Sequence, residues 1–390
     1  MDRKVMYMTL FGMYIIMSLL LTGCWDSTEI NKRNVIMDIG LDKINGQDND
    51  SDIENRDYYK ITYMIPDMAQ LAGESSFNEE VKNRMVVKSP TLTKSVEDIE
   101  IKTENTVTFS HTKAVFFGEE LLKDKKLMRS AINSLLANDE IGRGVNLLAV
   151  KGAEAGDLVQ AKSTDNPLIG LYVMNFFDNN EKGASYARKQ SLGRFVRDID
   201  NNNITTIPQI AMDSNEGMLK IAGGAVIKDY ELVGWLNRDE VRGQMFVNGE
   251  IKSVPIVVEY QDEPLTYQIT HEKSKIKFNE DGGQVQATIV ITVDGDITEY
   301  VSNMGQIIFN NQQIQEVNQI LSKHIKDEIE HTIEISKKMN ADFLDIGLEM
   351  QRRAVNLWDK CAPTWEESGY INIPINVEVR TVVHNAGELN

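Results

Sequence analysis

Cys24 is the residue in this chain whose type and setting call for chemistry. It follows Leu21-Thr22-Gly23 and precedes Trp25-Asp26. A thiol at that place can accept a diacylglyceryl group, and the small residues ahead of it suit a peptidase that would leave Cys24 at a new N-terminus. Arg3 and Lys4 form a short positive region, and residues 5–23 carry no charge, the layout of a secretory signal whose apolar core ends in small residues. A retained membrane helix is the competing reading, since such a run is long enough to cross ~30 Å of hydrocarbon. A Thr-Gly pair directly before a lone cysteine has no role in such a helix. Lipidation gives the mature protein two or three acyl chains, palmitate among them. At ~0.8 kcal/mol per buried methylene one chain is marginal and two hold firmly.

No second reactive constellation emerges. Cys361 lies in Trp358-Asp359-Lys360-Cys361-Ala362-Pro363, far from any histidine in sequence, so a half-buried small residue is expected in preference to a reactive thiol. With Cys24 acylated it has no disulfide partner. His111, His271, His324, His331 and His384 are scattered, and G-x-S-x-G, H-E-x-x-H and Cys-His metal spacings are absent. His111 is expected to be a hydrogen-bonded residue orienting the strand at Lys113. Asp48, Asp50 and Asp52 resemble the start of a calcium loop, but Ile53 replaces its glycine and Tyr59 its bidentate glutamate. Asp198, Asp200 and Asn202 repeat the spacing with Asn203 and Gln209 at those positions, and turn chemistry accounts for them. Gly142-Arg143-Gly144 lacks the third glycine and the preceding strand of a phosphate loop. No catalytic, cofactor or metal site is assigned.

The charge balance narrows the partners. Removal of residues 1–23, with Asp2, Arg3 and Lys4, takes the formal charge from −18 to −19 over the remaining 367 residues. Such acidity argues against nucleic acid, whose phosphates need Lys and Arg, and against electrostatic adhesion to anionic lipid. The acyl group therefore has to supply the attachment. Residues 25–33 reach at most about 30 Å at ~3.5 Å per residue, which places the first domain close to the bilayer.

Stepping from the anchor to the body, Val35, Met37, Ile39 and Leu41 alternate, as do Tyr59, Ile61, Tyr63 and Ile65. Two strands joined by the polar loop 45–57 are predicted. Residues 66–83 read as an insert, followed by a strand at 85–87, a helix at 91–104 and a strand at 113–117. A helix through Leu127, Ala131, Leu135 and Leu136, a buried strand at 145–150 and helices near 166–177 and 191–196 complete this region. The Asn-rich run 198–206 is the expected domain boundary. Beyond it, 219–227 and 232–236 read as a hairpin, with a bulge or close backbone approach at Gly223-Gly224. Strands are expected at 254–260, 265–269, 275–278 and 285–293. A long helix carrying Ile314, Val317, Leu321, Ile325 and Ile329 follows, then a helical stretch through Trp358. A final strand carries Ile371, Ile373, Ile375, Val377 and Val379. The expected class is α+β, multi-domain and mixed, with a C-terminal half built as an antiparallel sheet packed with a long helix. The expected divisions are 1–23 signal, 24–200 and 201–390, the last divisible into 201–250 and 251–390.

In this order the pieces resemble the C subunit of spore germinant receptors, the Ger(x)C (GerAC-like) lipoproteins. The resemblance rests on Gly23-Cys24-Trp25-Asp26 with Glu29-Ile30, the strand at 35–42, and Phe109-Ser110-His111-Thr112-Lys113-Ala114-Val115-Phe116-Phe117-Gly118-Glu119-Glu120. It continues through Ala222-Gly223-Gly224-Ala225-Val226-Ile227-Lys228 into Leu232-Val233-Gly234-Trp235-Leu236-Asn237, then Ala341-Asp342, Gly347, Trp358 and Trp365. A proline expected before Trp358 is absent, which alters the local turn. The resemblance implies three α/β domains in a non-enzymatic receptor subunit, lipid-anchored at the outer face of the spore inner membrane. Its implied partners are an A subunit and a membrane-spanning B subunit, with which it starts germination when nutrients appear. Two other classes fit a lipoprotein, a solute-binding protein feeding a transporter and a cell-wall hydrolase using a carboxylate pair. A sheet followed by a long helix differs from the repeated strand-helix lobes of the former.

Overall fold

Alternation along the strands sorts the apolar residues of the first half to two faces of one sheet. The computed structural model describes residues 33–44, 58–67, 82–161, 168–179, 186–213, 218–300 and 309–386, with Arg3, Tyr7, Met13 and Tyr14 ahead of them. Cys24, the loop 45–57 with its aspartates and most of the insert 66–83 lie outside these residues. In β6 (Ala114–Gly118) Val115 and Phe117 face one layer while Ala114 and Phe116 face the other, all fully buried. A period of two, with both faces covered, requires this continuous apolar run.

Around β6 lie β2 (Asp38–Ile44) and β7 (Asn146–Val150), with β8 (Ile204–Met212) beyond β7; each of these pairings is parallel. Antiparallel strands extend both ends: β3 (Tyr58–Pro66) and β4 (Lys82–Ser89) beside β2, β9 (Leu219–Lys228) and β10 (Glu231–Leu236) beside β8. The order of the eight is β10-β9-β8-β7-β6-β2-β3-β4. On one face pack α1 (Leu92–Glu100), α3 (Lys125–Ala137) and α6 (Leu192–Asn202), the short α2 (Glu119–Leu122) lying between the first two in sequence. Leu158 and Val159 of α4 (Ala155–Gln160) and Val173 and Phe177 of α5 (Ile169–Asp178) cover the other. β1 (Arg33–Val35) pairs in parallel with β5 (Thr106–Thr108) over three residues as a small separate two-stranded ribbon. The expected strand through Val35 and Leu41 is thus split, because the Ile36 amide bonds to Thr108 and the Met37 amide to Met64.

The run 198–206 holds the last turn of α6 and the start of β8, and the large sheet carries on through β8, β9 and β10. Asp198 and Asp200 are helical, not turn residues; the turn falls on Asn203, a left-handed cap with φ of 57°, a conformation asparagine tolerates. The second half has a four-stranded sheet ordered β11 (Val254–Tyr260), β12 (Glu263–Asp281), β13 (Gln284–Tyr300) and β14 (Ile375–Asn385). The first three are antiparallel, and β14 returns parallel to β13 after a helical crossover, which parallel neighbours need. That crossover includes α8 (Asn311–Lys338), whose Val317, Leu321, Ile325 and Ile329 meet the buried face of the sheet. The class and the sheet-plus-long-helix arrangement agree with the sequence expectation. Three details differ. The segments 265–269 and 275–278 are one strand, continuous through a bulge between Ile269 and His271. The last strand starts at Ile375, because Tyr370–Asn372 form a helical turn whose Tyr370 hydroxyl meets Ser336 at 2.5 Å. Finally, α7 (Arg238–Val247) follows β10.

Candidate functional site

The residue blocks behind the resemblance resolve into devices that lock helices onto the sheets. Three helices whose own N-cap side chains make no capping bond are capped by aspartates from elsewhere. Asp42 accepts the Ala155 and Gly156 amides of α4 at 2.8 and 2.9 Å. Asp38, four residues earlier on the same face of β2, accepts the Gly170 amide of α5 at 3.1 Å. Asp342 accepts the Ile346 and Gly347 amides at 3.0 and 2.7 Å, at the start of α9 (Ile346–Arg353). A carboxylate there satisfies orphan donors and meets the positive end of the helix dipole. Burial nevertheless pushes Asp42 upward and Asp342 up to about 7, against the pull of those amides. The Trp365 indole stands over the same corner: a Cβ on Gly347 would come within 2.5 Å of its Nε1.

The other blocks behave likewise. In residues 109–120, His111 is exposed, and it is Thr112 that ties the strand, donating to the Ile36 carbonyl at 3.0 Å. The block 222–237 is the β9–β10 hairpin, turned by Asp229 and Tyr230, both at positive φ. Gly223 has φ of +83°, and a Cβ there would meet the Leu236 carbonyl oxygen at 2.5 Å, so the close backbone approach expected from Gly223-Gly224 is present. Alanine at Gly223 is expected to destabilise the protein by about 2–4 kcal/mol, read as a lowered urea midpoint. An unchanged midpoint would show that the hairpin can shift to admit a methyl group.

Where the two halves meet, charges do the joining. Arg188, one-tenth exposed, grips Glu250 with both arms of its guanidinium at 2.8 and 3.0 Å, and Arg194 of α6 reaches the same carboxylate at 2.5 Å. Those two cations hold Glu250 below the usual carboxylate range despite its burial. Asn202 donates to the Asp342 carbonyl and to Asp345, and Lys228 to the Asn340 carbonyl. On α7, Arg242 pairs with Glu328 of α8 at 2.8 and 2.6 Å. Sequence reasoning missed this joint. Its signal was the basic stretch through Arg188 and Lys189 in an otherwise acidic chain.

Cys361 is half-buried against the C-terminal core, and burial pushes its thiol up. The histidines are not brought together: His331 meets Glu240 at 3.5 Å and His384 meets Asp294 at 3.0 Å, on different elements. Among the described residues no group of His, Cys, Asp or Glu is placed to hold a metal ion, and no helix is long and apolar enough to cross a membrane.

Against known families, residues 26–212 match the spore germination protein N-terminal domain, and residues 222–387 match the C-terminal domain of spore germination B3/GerAC-like proteins. The chain belongs to the GerAC-like family of spore germination proteins. This is the germinant receptor C-subunit family that the residue blocks resemble. Within it, spore germination protein B3 of Bacillus subtilis (strain 168) is 22% identical, with 92% of each chain covered. Spore germination protein KC of the same organism is 22% identical over 100% of this chain and 98% of its own. Spore germination protein A3 is 20% identical over 95% and 96%. The crystal structure of the GerBC protein superposes with a TM-score of 0.59 at 19% identity, covering 89% of this chain and 97% of that one. The fold is therefore shared over 89% of this chain.

Proposed function

We propose that this GerAC-like protein is the non-enzymatic C subunit of a nutrient germinant receptor. It is anchored by a diacylglyceryl group on Cys24 at the outer face of the spore inner membrane, beside membrane-spanning A and B subunits. The observation that carries the reading is the match of both family domains, in order, across residues 26–387. The acidic balance supports an acyl rather than an electrostatic attachment, since the charge of −19 left after removal of residues 1–23 is repelled by anionic lipid. The aspartates of the family blocks, Asp38, Asp42 and Asp342, are spent on helix caps. That leaves them no role as the carboxylate pair of a hydrolase.

The test is deletion of the gene in a spore former, with germination scored on single nutrients. Loss of response to at least one nutrient is expected; unchanged germination on every nutrient sinks the receptor reading. Restoring the gene with Cys24→Ala is expected to abolish lipid labelling and to move the protein out of the membrane fraction. If the variant, with its signal removed, still fractionates with membranes, partner contacts and not acyl chains are its main tether.

A further inference from the structure

The end of α6 and the C-terminal half enclose a polar cleft of about 440 Å³, one wall of which is the joint of Arg188, Glu250, Asn202 and Asp345. Arg197 of α6, Asn248 of the turn after α7, Lys275 of β12, and Arg352 and Arg353 of α9 line it. The lining holds five cationic and four acidic side chains, a reversal of the balance of a chain whose net charge is −18. Each carboxylate is also shared. Glu250 serves Arg188 and Arg194, Glu349 serves Arg352 and Arg353, and Asp198 lies 3.1 Å from Arg197 and 3.8 Å from Arg194. The fourth, Asp345, is pushed toward its neutral form by burial. Among the described residues Lys275 has no ion pair, and the Asn248 amide nitrogen is buried with no acceptor. Cations in excess and an unused donor in one concavity attract and hold a compact anion.

We propose that this cleft binds a small dianion, a phosphate group or a dicarboxylate, with Lys275 and Asn248 as direct donors and Arg352 and Arg353 closing on it from α9. Guanidinium forks match the paired oxygens of both groups. Because the ligand touches α6, the turn after α7, β12 and α9, its binding fastens one half of the molecule to the other and raises the stability of the joint.

The lipidated full chain in detergent, titrated with sodium phosphate and separately with sodium succinate at an ionic strength fixed with sodium chloride, tests this without reference to germination. A saturable rise in melting temperature is expected, with a matching heat of binding. Lys275→Ala and Arg353→Ala are each expected to weaken binding about tenfold or more while melting like the parent in chloride alone. Lys102→Ala, outside the cleft, is expected to bind as the parent does. Response to phosphate alone assigns a phosphoryl ligand, and response to succinate alone a dicarboxylate. No saturable response to either anion, or equal affinity in the parent and both cleft variants, overturns the proposal.

Discussion

Glutamine in place of Glu272 is expected to stabilise the protein at alkaline pH and to leave it nearly unchanged at pH 5. Glu272 lies opposite Val293 on β12, where the bulge after Ile269 turns it to the core face with Ser274 and Ile276. It is 8% exposed, and neither carboxyl oxygen has a partner of proper hydrogen-bond geometry among the described residues. Burial, helped by the charge of Glu250 and opposed weakly by the Ile251 amide, pushes it up to about 8. A folded value above the unfolded one means that the native state binds the proton more tightly. The resulting stabilisation is complete below the unfolded value of 4.5 and is lost as pH rises through about 8. At ~1.4 kcal/mol per unit, the loss is on the order of 3 kcal/mol or more. Glutamine keeps the shape and carries no charge, so the difference between Glu272→Gln and the parent should open between pH 5 and pH 8.5 in denaturant titrations. Taking the difference cancels Asp124 and Asp229, whose values are lowered and whose contributions run the other way. A gap that stays constant across that range would mean that Glu272 is not buried as an acid.

Glu272 also marks where sequence reading reaches its limit. Strands β3, β6, β7, β9 and β11 were legible because alternation or an unbroken apolar run reports burial directly. The stripe Val317-Leu321-Ile325-Ile329 did the same for α8. The fusion of β12 was not legible, since its bulge inverts the alternation and places a glutamate where the pattern calls for an apolar residue. Residues of β8 lie buried on both faces yet include Thr205, Thr206 and Pro208, so no period appears. In α7 the charged and polar residues Glu240, Arg242 and Gln244 are buried through partners distant in sequence, Arg242 by Glu328 and Gln244 by the Phe343 carbonyl. Its start was signalled by the Asn237 to Glu240 capping box.

The blocks at 35–42, 222–237 and 341–365 were recognisable as a set, whereas their purpose was hidden for one reason. A cap that joins Asp42 to Gly156 spans more than a hundred residues, and no local spacing rule records it. The joint of Arg188, Arg194 and Glu250 is hidden in the same way. Cys24 is the opposite case, since its chemistry is written entirely in its neighbours.

Alanine in place of Asp342 is expected to cost about 2–4 kcal/mol, because it strands buried donors instead of merely removing a contact. Asp342 is 2% exposed, and its two oxygens take the first amides of α9 with the Trp365 indole beside them. Trp365 is held in turn between Trp358 and Tyr370, at ring separations of 5.5 and 5.6 Å. The helix, the aspartate and the aromatic corner therefore form one unit. Removing Asp342 and replacing Trp365 by Phe should cost less together than the sum of the two separately, a coupling of about 0.5–3 kcal/mol. Gly347→Ala attacks the same unit by overpacking. Its new methyl would press on the Trp365 indole, at about 1–3 kcal/mol. Urea midpoints of the three single variants and the double variant measure all of this. Strict additivity would separate the cap from the aromatic corner, and a loss at Asp342 below about 0.5 kcal/mol would show that water can replace the carboxyl at the start of α9.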